Sequence, residues 1–269
     1  MSFLSKEEDW RFYSSTFCLD DLSEFDQCEK LLDALESVAA PEYWGDRDGA
    51  IVGPYDRKAI AEFFKAQQTG EGGTRFRMSL KRSSAPRYMA VVNVGTTVHP
   101  HSVRLEGTMR HSEGEVEQLF QVVDTIAESM HVDFASIDIN REGQDPSTRM
   151  LRSGTSENLD WYIDVGPGMI WVRTYFGPRV IALAAEHDVW TSCGGIWRPS
   201  KNGVMVLDLH EQPWAAAPKD LKAVHQEVFP KLVERTGVFY FIDDDDDNAD
   251  YPPRPPRWQP PPGAKWPDA

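Results

Sequence analysis

The sequence is poor in cysteine and has no long apolar run. Its 269 residues include only three cysteines, Cys18, Cys28 and Cys193, which follow no disulfide framework. An odd cysteine count without a secretory signal is typical of reduced thiols in the cytoplasm. We expect Cys18 and Cys28 to be buried thiols, with a disulfide or a metal site as the alternative. The N-terminus, MSFLSKEEDWRF, has acids where a signal peptide is apolar, and no stretch approaches the about 20 apolar residues of a membrane span. A cytoplasmic protein is predicted.

The short motifs of common catalytic and metal sites are also missing. The sequence contains no H-E-x-x-H, C-x-x-C or G-x-S-x-G, and no loop has the spacing of a calcium site. The imidazoles of His99 and His101 have no third ligand nearby in sequence, and zinc sites need three or four protein ligands. We therefore expect no metal, no cofactor and no enzymatic activity.

Positive charge is scarce. The 28 lysines and arginines face 43 aspartates and glutamates, which gives a net charge of −15. Such a charge repels phosphate backbones and anionic lipids, so direct binding to nucleic acid or to a membrane is not expected. An acidic surface accelerates association with basic proteins. The simpler alternative is that the acids only maintain solubility.

Hydrophobic periodicity predicts an α+β protein of largely antiparallel sheets, with helices packed on one face and two possibly similar half-units. Apolar residues at spacings of three and four indicate helices, and alternation indicates strands. The first 20 residues predict a short strand or a docked arm. Helices are predicted at 21–40, 56–68, 112–130, 179–187 and 218–236, and strands at 74–81, 88–94, 102–110, 133–139, 161–165, 169–176, 195–198, 203–209 and 238–242.

Composition divides the chain into three parts. Residues 1–70 form a helical segment, 71–242 an α+β core domain, and 243–269 an acidic, proline-rich tail. The tail opens with five aspartates, and eight of its last 19 residues are proline, a composition typical of extended or disordered chain. Trp258 and Trp266 could instead dock it on the body, or the tail could be a ligand for a partner. We expect deletion of 243–269 to leave folding intact.

Acids interleaved with aromatic residues indicate a surface for a basic protein partner, because aromatic anchors dominate interface energetics. The alternative places the tryptophans in the core and leaves the acids solvated. The candidate interface residues are Asp160, Trp161, Tyr162, Asp164, Glu186, Asp188, Trp190, Asp208 and Glu211.

An enzymatic alternative centres on Cys193, which lies in the sequence Ser192-Cys193-Gly194-Gly195. A cysteine-dependent hydrolase needs a base within hydrogen-bond reach and surroundings that favour the thiolate. His187, His210 and His225 are the candidate bases. The flanking residues match no cysteine-protease signature.

Three stretches resemble a known family: WYIDVG from Trp161, VRTYFGP from Val172 and GVMVLDL from Gly203. They are similar to bacterial immunity proteins of polymorphic and type VI secreted toxin systems, most nearly to the immunity protein 52 family. The resemblance covers residues 87–242 and leaves the first 70 residues and the tail unexplained. It implies a cytoplasmic α+β protein that binds and neutralises a cognate toxin, expected to be a restriction-endonuclease-like nuclease.

Overall fold

The computed structural model describes residues 10–46, 50–68, 76–94, 101–141, 159–184, 187–240, 253–262 and 264. Helices and strands are numbered in chain order. The strands are β1 (Trp10–Cys18), β2 (Tyr43–Gly45), β3 (Gly53–Pro54), β4 (Phe76–Arg82), β5 (Tyr88–Val94), β6 (His101–His111), β7 (Val132–Arg141), β8 (Arg173–Phe176), β9 (Ile196–Pro199) and β10 (Met205–Asp208). The helices are α1 (Phe25–Ala39), α2 (Arg57–Gln68), α3 (Glu113–Ser129), α4 (Leu159–Val165), α5 (Pro178–Ala182) and α6 (Pro218–Thr236).

All ten strands form one sheet in the order β3-β2-β4-β5-β6-β1-β7-β8-β10-β9. Each described strand pair is antiparallel, which confirms the α+β class. The N-terminal strand β1 lies in the middle, between β6 and β7. The boundary predicted at residue 70 therefore runs through a continuous sheet, and both halves of the chain contribute strands to it.

Local chemistry fixes several elements where the sequence predicts them. Ser112 caps α3 by accepting a hydrogen bond from the Glu115 backbone N–H, and the Glu115 carboxylate accepts one from the Ser112 N–H. This reciprocal capping box satisfies two backbone donors that the first helical turn leaves without partners. Asn202 and Gly203 both adopt positive φ, +58° and +73°, in the turn between β9 and β10. These angles match the type I′ turn that Asn-Gly favours in hairpins.

Three predicted strands are wrong in whole or in part. Residues 161–165 lie in the helix α4, and regular strand in 169–176 is confined to Arg173–Phe176. Residues 238–240 form no strand, although the Tyr240 N–H donates to the Pro167 carbonyl at 3.3 Å. Short apolar runs do not distinguish a buried helix from a strand by periodicity alone, which accounts for the error at α4.

Aromatic residues cover both faces of the sheet. Phe12 and Phe17 are five positions apart on β1, so their side chains project to opposite faces. Phe12 contacts Phe120 of α3 edge to face, with ring centroids 5.9 Å apart. Phe17 stacks on Tyr162 of α4 at 4.4 Å. The α3 face holds the charged groups described below, and the α4 face holds an aromatic core.

The last described segment, 253–262, is docked on the α4 face, contrary to a solvated tail. Trp258 is 4% exposed, contacts the Tyr162 ring edge to face at 5.2 Å, and donates its indole N–H to the Ile163 carbonyl at 3.1 Å. The Arg179 guanidinium lies 4.8 Å from the centre of the Trp258 ring system. Gly166 has φ +89°, and a Cβ there would lie 2.7 Å from this indole. In segment 253–262, docking by Trp258, the alternative to an extended or disordered tail, is therefore what the structure shows.

Candidate functional site

A cleft of about 410 Å³ opens on the α3 face, at the end of the sheet formed by β8, β10 and β9. Helix α3 and the loop after β10 form its two walls. Its lining residues are Glu117, Phe120, Gln121, Asp124, Arg173, Ile196, Arg198, Asp208, His210, Glu211 and Trp214. Two predicted interface residues, Asp208 and Glu211, belong to this set.

The base of the cleft is a closed charge network of two arginines and two aspartates. Arg173 makes two hydrogen bonds to the Asp208 carboxylate and a third to Asp124 at 2.8 Å. Arg198 bridges the same two acids, at 3.3 Å to Asp208 and 3.0 Å to Asp124. These formal charges sum to zero, so the base presents little net charge to a ligand.

Aromatic residues support this network. The Arg173 guanidinium carbon lies 5.0 Å from the centre of the Phe120 ring and 5.9 Å from that of Trp214. The Tyr175 hydroxyl donates to Asp124 at 2.8 Å. Burial and the adjacent Asp124 carboxylate raise the pKa of Tyr175 well above its ordinary value, so this hydroxyl remains a donor at neutral pH.

The rim of the cleft differs from its base because its acids are unpaired. Glu117 is half-buried and Glu211 is exposed. Within the described part of the chain, neither carboxylate takes part in a hydrogen bond or an ion pair. The exposed His210 accepts the Gln212 backbone N–H at its Nδ1, at 3.1 Å. The rim therefore carries two uncompensated negative charges beside Ile196, which is 40% exposed, and the half-buried Trp214.

The structure corrects the predicted interface at two positions. Tyr162 and Trp190 are each 1% exposed, so neither offers a surface to a partner. Asp208 is 4% exposed and lies at the base of the cleft, where Arg173 and Arg198 occupy its carboxylate. Tyr162 donates its hydroxyl to the buried Asp133, and Trp190 donates its indole N–H to the Ile181 carbonyl at 3.1 Å. Their large apolar areas and satisfied polar groups make the two aromatic residues part of the core.

The other candidates are divided among separate places. Asp164 is held by the docked tail, because Arg254 donates to both its carboxylate and its backbone carbonyl. Asp188 and Glu211 are exposed. Glu186 and the side chains of Asp160 and Trp161 lie outside the described part of the chain. Asp164 of α4 thus faces a basic, tryptophan-containing segment, but that segment belongs to the same chain.

Cys193 has surroundings unlike those of a nucleophilic thiol. Its side chain is fully buried, and its Sγ lies 3.2 Å from the Val189 carbonyl oxygen, to which the thiol donates. Burial raises the pKa of Cys193, although the nearby Arg235 and Lys231 oppose this effect. Cys193 is not among the described residues that line the cleft. The arrangement therefore disfavours both the thiolate and the access of a substrate.

Cys18 and Cys28 are likewise free and buried, as predicted. Burial raises the pKa of Cys28 to about 12 and that of Cys18 higher still. Among the described residues, no group of three or more histidines, cysteines and acids could hold a metal ion. No helix in the described ranges is both long and apolar enough to cross a membrane.

Sequence reasoning missed most of the cleft. Two weak signals existed. Glu117, Gln121 and Asp124 recur at helical spacing, which places three polar side chains on one stripe of α3. Arg173 interrupts an apolar run, and a charge in such a run requires a buried partner. Neither signal identifies Asp208 as that partner, because the two residues are 35 positions apart.

Comparisons with known proteins give a distant likeness to a solved structure. No family model matches the chain, and no curated protein matches it. A solved structure of the Pseudomonas aeruginosa T6SS protein PA0821 is similar with a TM-score of 0.45 and 11% identity, over 82% of this chain and 76% of that one. This likeness is too distant to carry an argument about function. The resemblance to immunity proteins remains a prediction from the sequence.

Proposed function

We propose that this protein is an immunity protein, which binds a cognate secreted toxin in the cytoplasm and blocks it sterically and electrostatically. A basic nuclease of a type VI or polymorphic toxin system is the expected partner. The observation that carries the proposal is the rim of the cleft, where Glu117 and Glu211, neither of which pairs with another described residue, lie beside the exposed Ile196 and the half-buried Trp214. Unpaired acids around an apolar centre complement a basic surface with an apolar anchor.

Two further features support the proposal. The chain carries a net charge of −15, and long-range attraction raises the association rate with a positively charged protein. The closed network at the base of the cleft lets its acids hold their positions without repelling one another, so the rim stays preorganised. The resemblance to immunity proteins in three sequence stretches agrees with these features. Inhibition by occlusion requires no catalytic residue.

The proposal predicts that a nuclease toxin is encoded directly upstream of this gene, and co-expression with that toxin tests it. We expect cells that express the toxin alone to stop growing and cells that also express this protein to grow normally. The purified pair is expected to form a complex whose affinity falls as salt rises, because the attraction is electrostatic. Growth arrest that persists at equal expression, with no complex at low salt, would refute the proposed function.

Matched charge reversals locate the surface. The double variant Glu117→Lys/Glu211→Lys is expected to weaken toxin binding by at least about fivefold, because each rim contact is worth up to about 1 kcal/mol and reversal adds repulsion. Glu62→Lys/Glu234→Lys changes the net charge equally at exposed positions on α2 and α6. If the control pair weakens binding as much as the rim pair, only the overall charge matters and the cleft is not the binding site.

A further inference from the structure

Strand β9 is the last strand in the sheet order, and its outer edge lies beside the cleft. It pairs with β10 from Ile196 opposite Asp208 to Pro199 opposite Met205. Within the described part of the chain, no strand pairs with its other edge. A sheet edge carries backbone N–H and C=O groups that can pair with an added strand. Pro199 lacks an N–H and limits this edge to a short segment.

The side chains of β9 show which face an added strand would share with the cleft. Ile196 and Arg198 line the cleft, whereas Trp197 points to the opposite face, where its ring lies 5.5 Å from that of Phe176. Side chains alternate along a strand, and neighbouring strands lie about 4.8 Å apart. Alternate residues of a strand added beside β9 would therefore lie over the cleft, next to Ile196 and Arg198.

The chemistry of the cleft selects a positively charged side chain on those alternate residues. Asp124 and Asp208 accept hydrogen bonds from both arginines at the base. Glu117 on one wall and Glu211 on the other have no such partner among the described residues. A guanidinium or ammonium group entering between these walls would meet two available carboxylates. Its aliphatic stem would lie against Ile196 and Trp214, because the stems of lysine and arginine pack favourably on apolar surface.

We propose that the β9 edge and the cleft together bind an extended segment of a partner protein, with its backbone added to β9 and a basic side chain between Glu117 and Glu211. This inference rests on the proposed function for the identity of the partner. It goes further by naming the conformation of the partner segment and the type of its anchoring residue. The occupant is a β-strand, and an acidic or helical segment would not satisfy both the edge and the rim.

Short peptides added to the full-length protein test the inference without any toxin. The probe is a capped hexapeptide of alternating arginine and valine. One analogue replaces arginine by citrulline, which is isosteric but neutral, and another carries N-methyl groups on alternate backbone amides. Binding is measured by titration calorimetry, and the amide signals of residues 196–198 are followed by NMR. We expect the arginine peptide to shift these signals and each analogue to bind at least about tenfold more weakly.

Neutralised variants separate the cleft from general charge attraction. The double variant Glu117→Gln/Glu211→Gln is expected to lower the affinity for the arginine peptide about three- to tenfold, the effect of losing two solvent-accessible ion pairs. Glu62→Gln/Glu234→Gln loses the same charge elsewhere and is expected to bind like the unmodified protein. Equal affinity for the arginine and citrulline peptides would overturn the cationic anchor, and equal affinity for the N-methylated peptide would overturn the added strand. Toxin neutralisation with no peptide binding refutes this inference alone, whereas peptide binding without neutralisation refutes the proposed function alone.

Discussion

Replacing Trp258 by alanine tests whether the docked segment 253–262 is part of the folded structure. A buried tryptophan removes about 150–250 Å² from water, worth about 4–6 kcal/mol at about 25 cal/mol per Å². The Arg179 contact adds about 1 kcal/mol, and the indole N–H bond to Ile163 adds about 1 kcal/mol. Ordering the segment costs about 1 kcal/mol or more per residue. Six of its ten residues are proline, which lowers this cost because their φ angles are already restricted.

The free energy gained from Trp258 is similar in size to the cost of ordering segment 253–262, so this residue decides whether the segment docks. We expect Trp258→Ala to lower the free energy of unfolding by about 3 kcal/mol. At about 2–4 °C per kcal/mol, the melting temperature should fall by about 6–12 °C. Circular dichroism or differential scanning fluorimetry measures this shift. Gln259→Ala is the matched control, since Gln259 is exposed and contributes its backbone carbonyl to Arg179.

Cleavage by trypsin detects the release of segment 253–262 directly. The Arg257–Trp258 bond is the one to follow, because Arg254 precedes Pro255 and is a poor cleavage site. The Arg257 N–H donates to the Gly237 carbonyl at 3.0 Å, so this bond is expected to be protected in the unmodified protein and cut rapidly in Trp258→Ala. A melting temperature within about 1 °C of the unmodified protein, with unchanged cleavage, would refute the docking argument.

Three further predictions concern the buried Arg173, the half-buried Asp138 and the three buried cysteines. Arg173→Met removes a hydrogen-bond donor from the Asp124 and Asp208 carboxylates, and it should lower the free energy of unfolding in urea by about 3–5 kcal/mol. The double variant Arg173→Met/Asp208→Leu should recover part of this loss. Equal stability of the single and double variants would contradict the prediction. Burial raises the pKa of Asp138 to about 6, although hydrogen bonds from Ile139 and Asn140 oppose this effect. The folded protein therefore favours the protonated carboxyl. The contribution of this carboxyl to stability is complete below about pH 4 and disappears as the pH rises through 6. Relative to Asp138→Asn, the unmodified protein should lose about 2–3 kcal/mol between pH 4 and 8, and parallel pH profiles would contradict this. All three cysteines are fully buried, so iodoacetamide should modify none of them within minutes in the native protein and all of them in urea. Mass spectrometry detects the modified residues. Rapid labelling of Cys193 in the native protein would support the hydrolase alternative.

The elements that sequence reasoning locates well are those that local chemistry determines. The capping box of Ser112 and Glu115 fixes the start of α3, and Gly237 with φ +64° ends α6. Strand β5 occupies the predicted residues, Tyr88–Val94, because this short run is rich in apolar residues. Each of these signals acts within about four residues, so one sequence is enough to detect it.

The features that sequence reasoning misses depend on residues far apart in the chain. Strand β1 pairs with residues 83 to 131 positions later, from Cys18 with His101 to Trp10 with Arg141. No local pattern specifies such a partner. The composition of segment 253–262 is typical of disorder, yet one tryptophan fits a surface that α4 and Gly166 create only in the fold. The interface prediction at Tyr162 and Trp190 fails for the same reason, because aromatic residues build cores and interfaces alike.

The cleft combines two uses of negative charge that sequence counting cannot separate. Asp124 and Asp208 stabilise the fold through Arg173, so reversing either charge would be expected to destabilise the protein before it affected binding. Glu117 and Glu211 contribute little to folding, because neither acid gains ion-pair energy from the described residues. When a residue makes no stabilising contact, its substitution can change binding at a small cost in stability. Binding specificity should therefore change through the rim, while the base keeps the walls of the cleft in place.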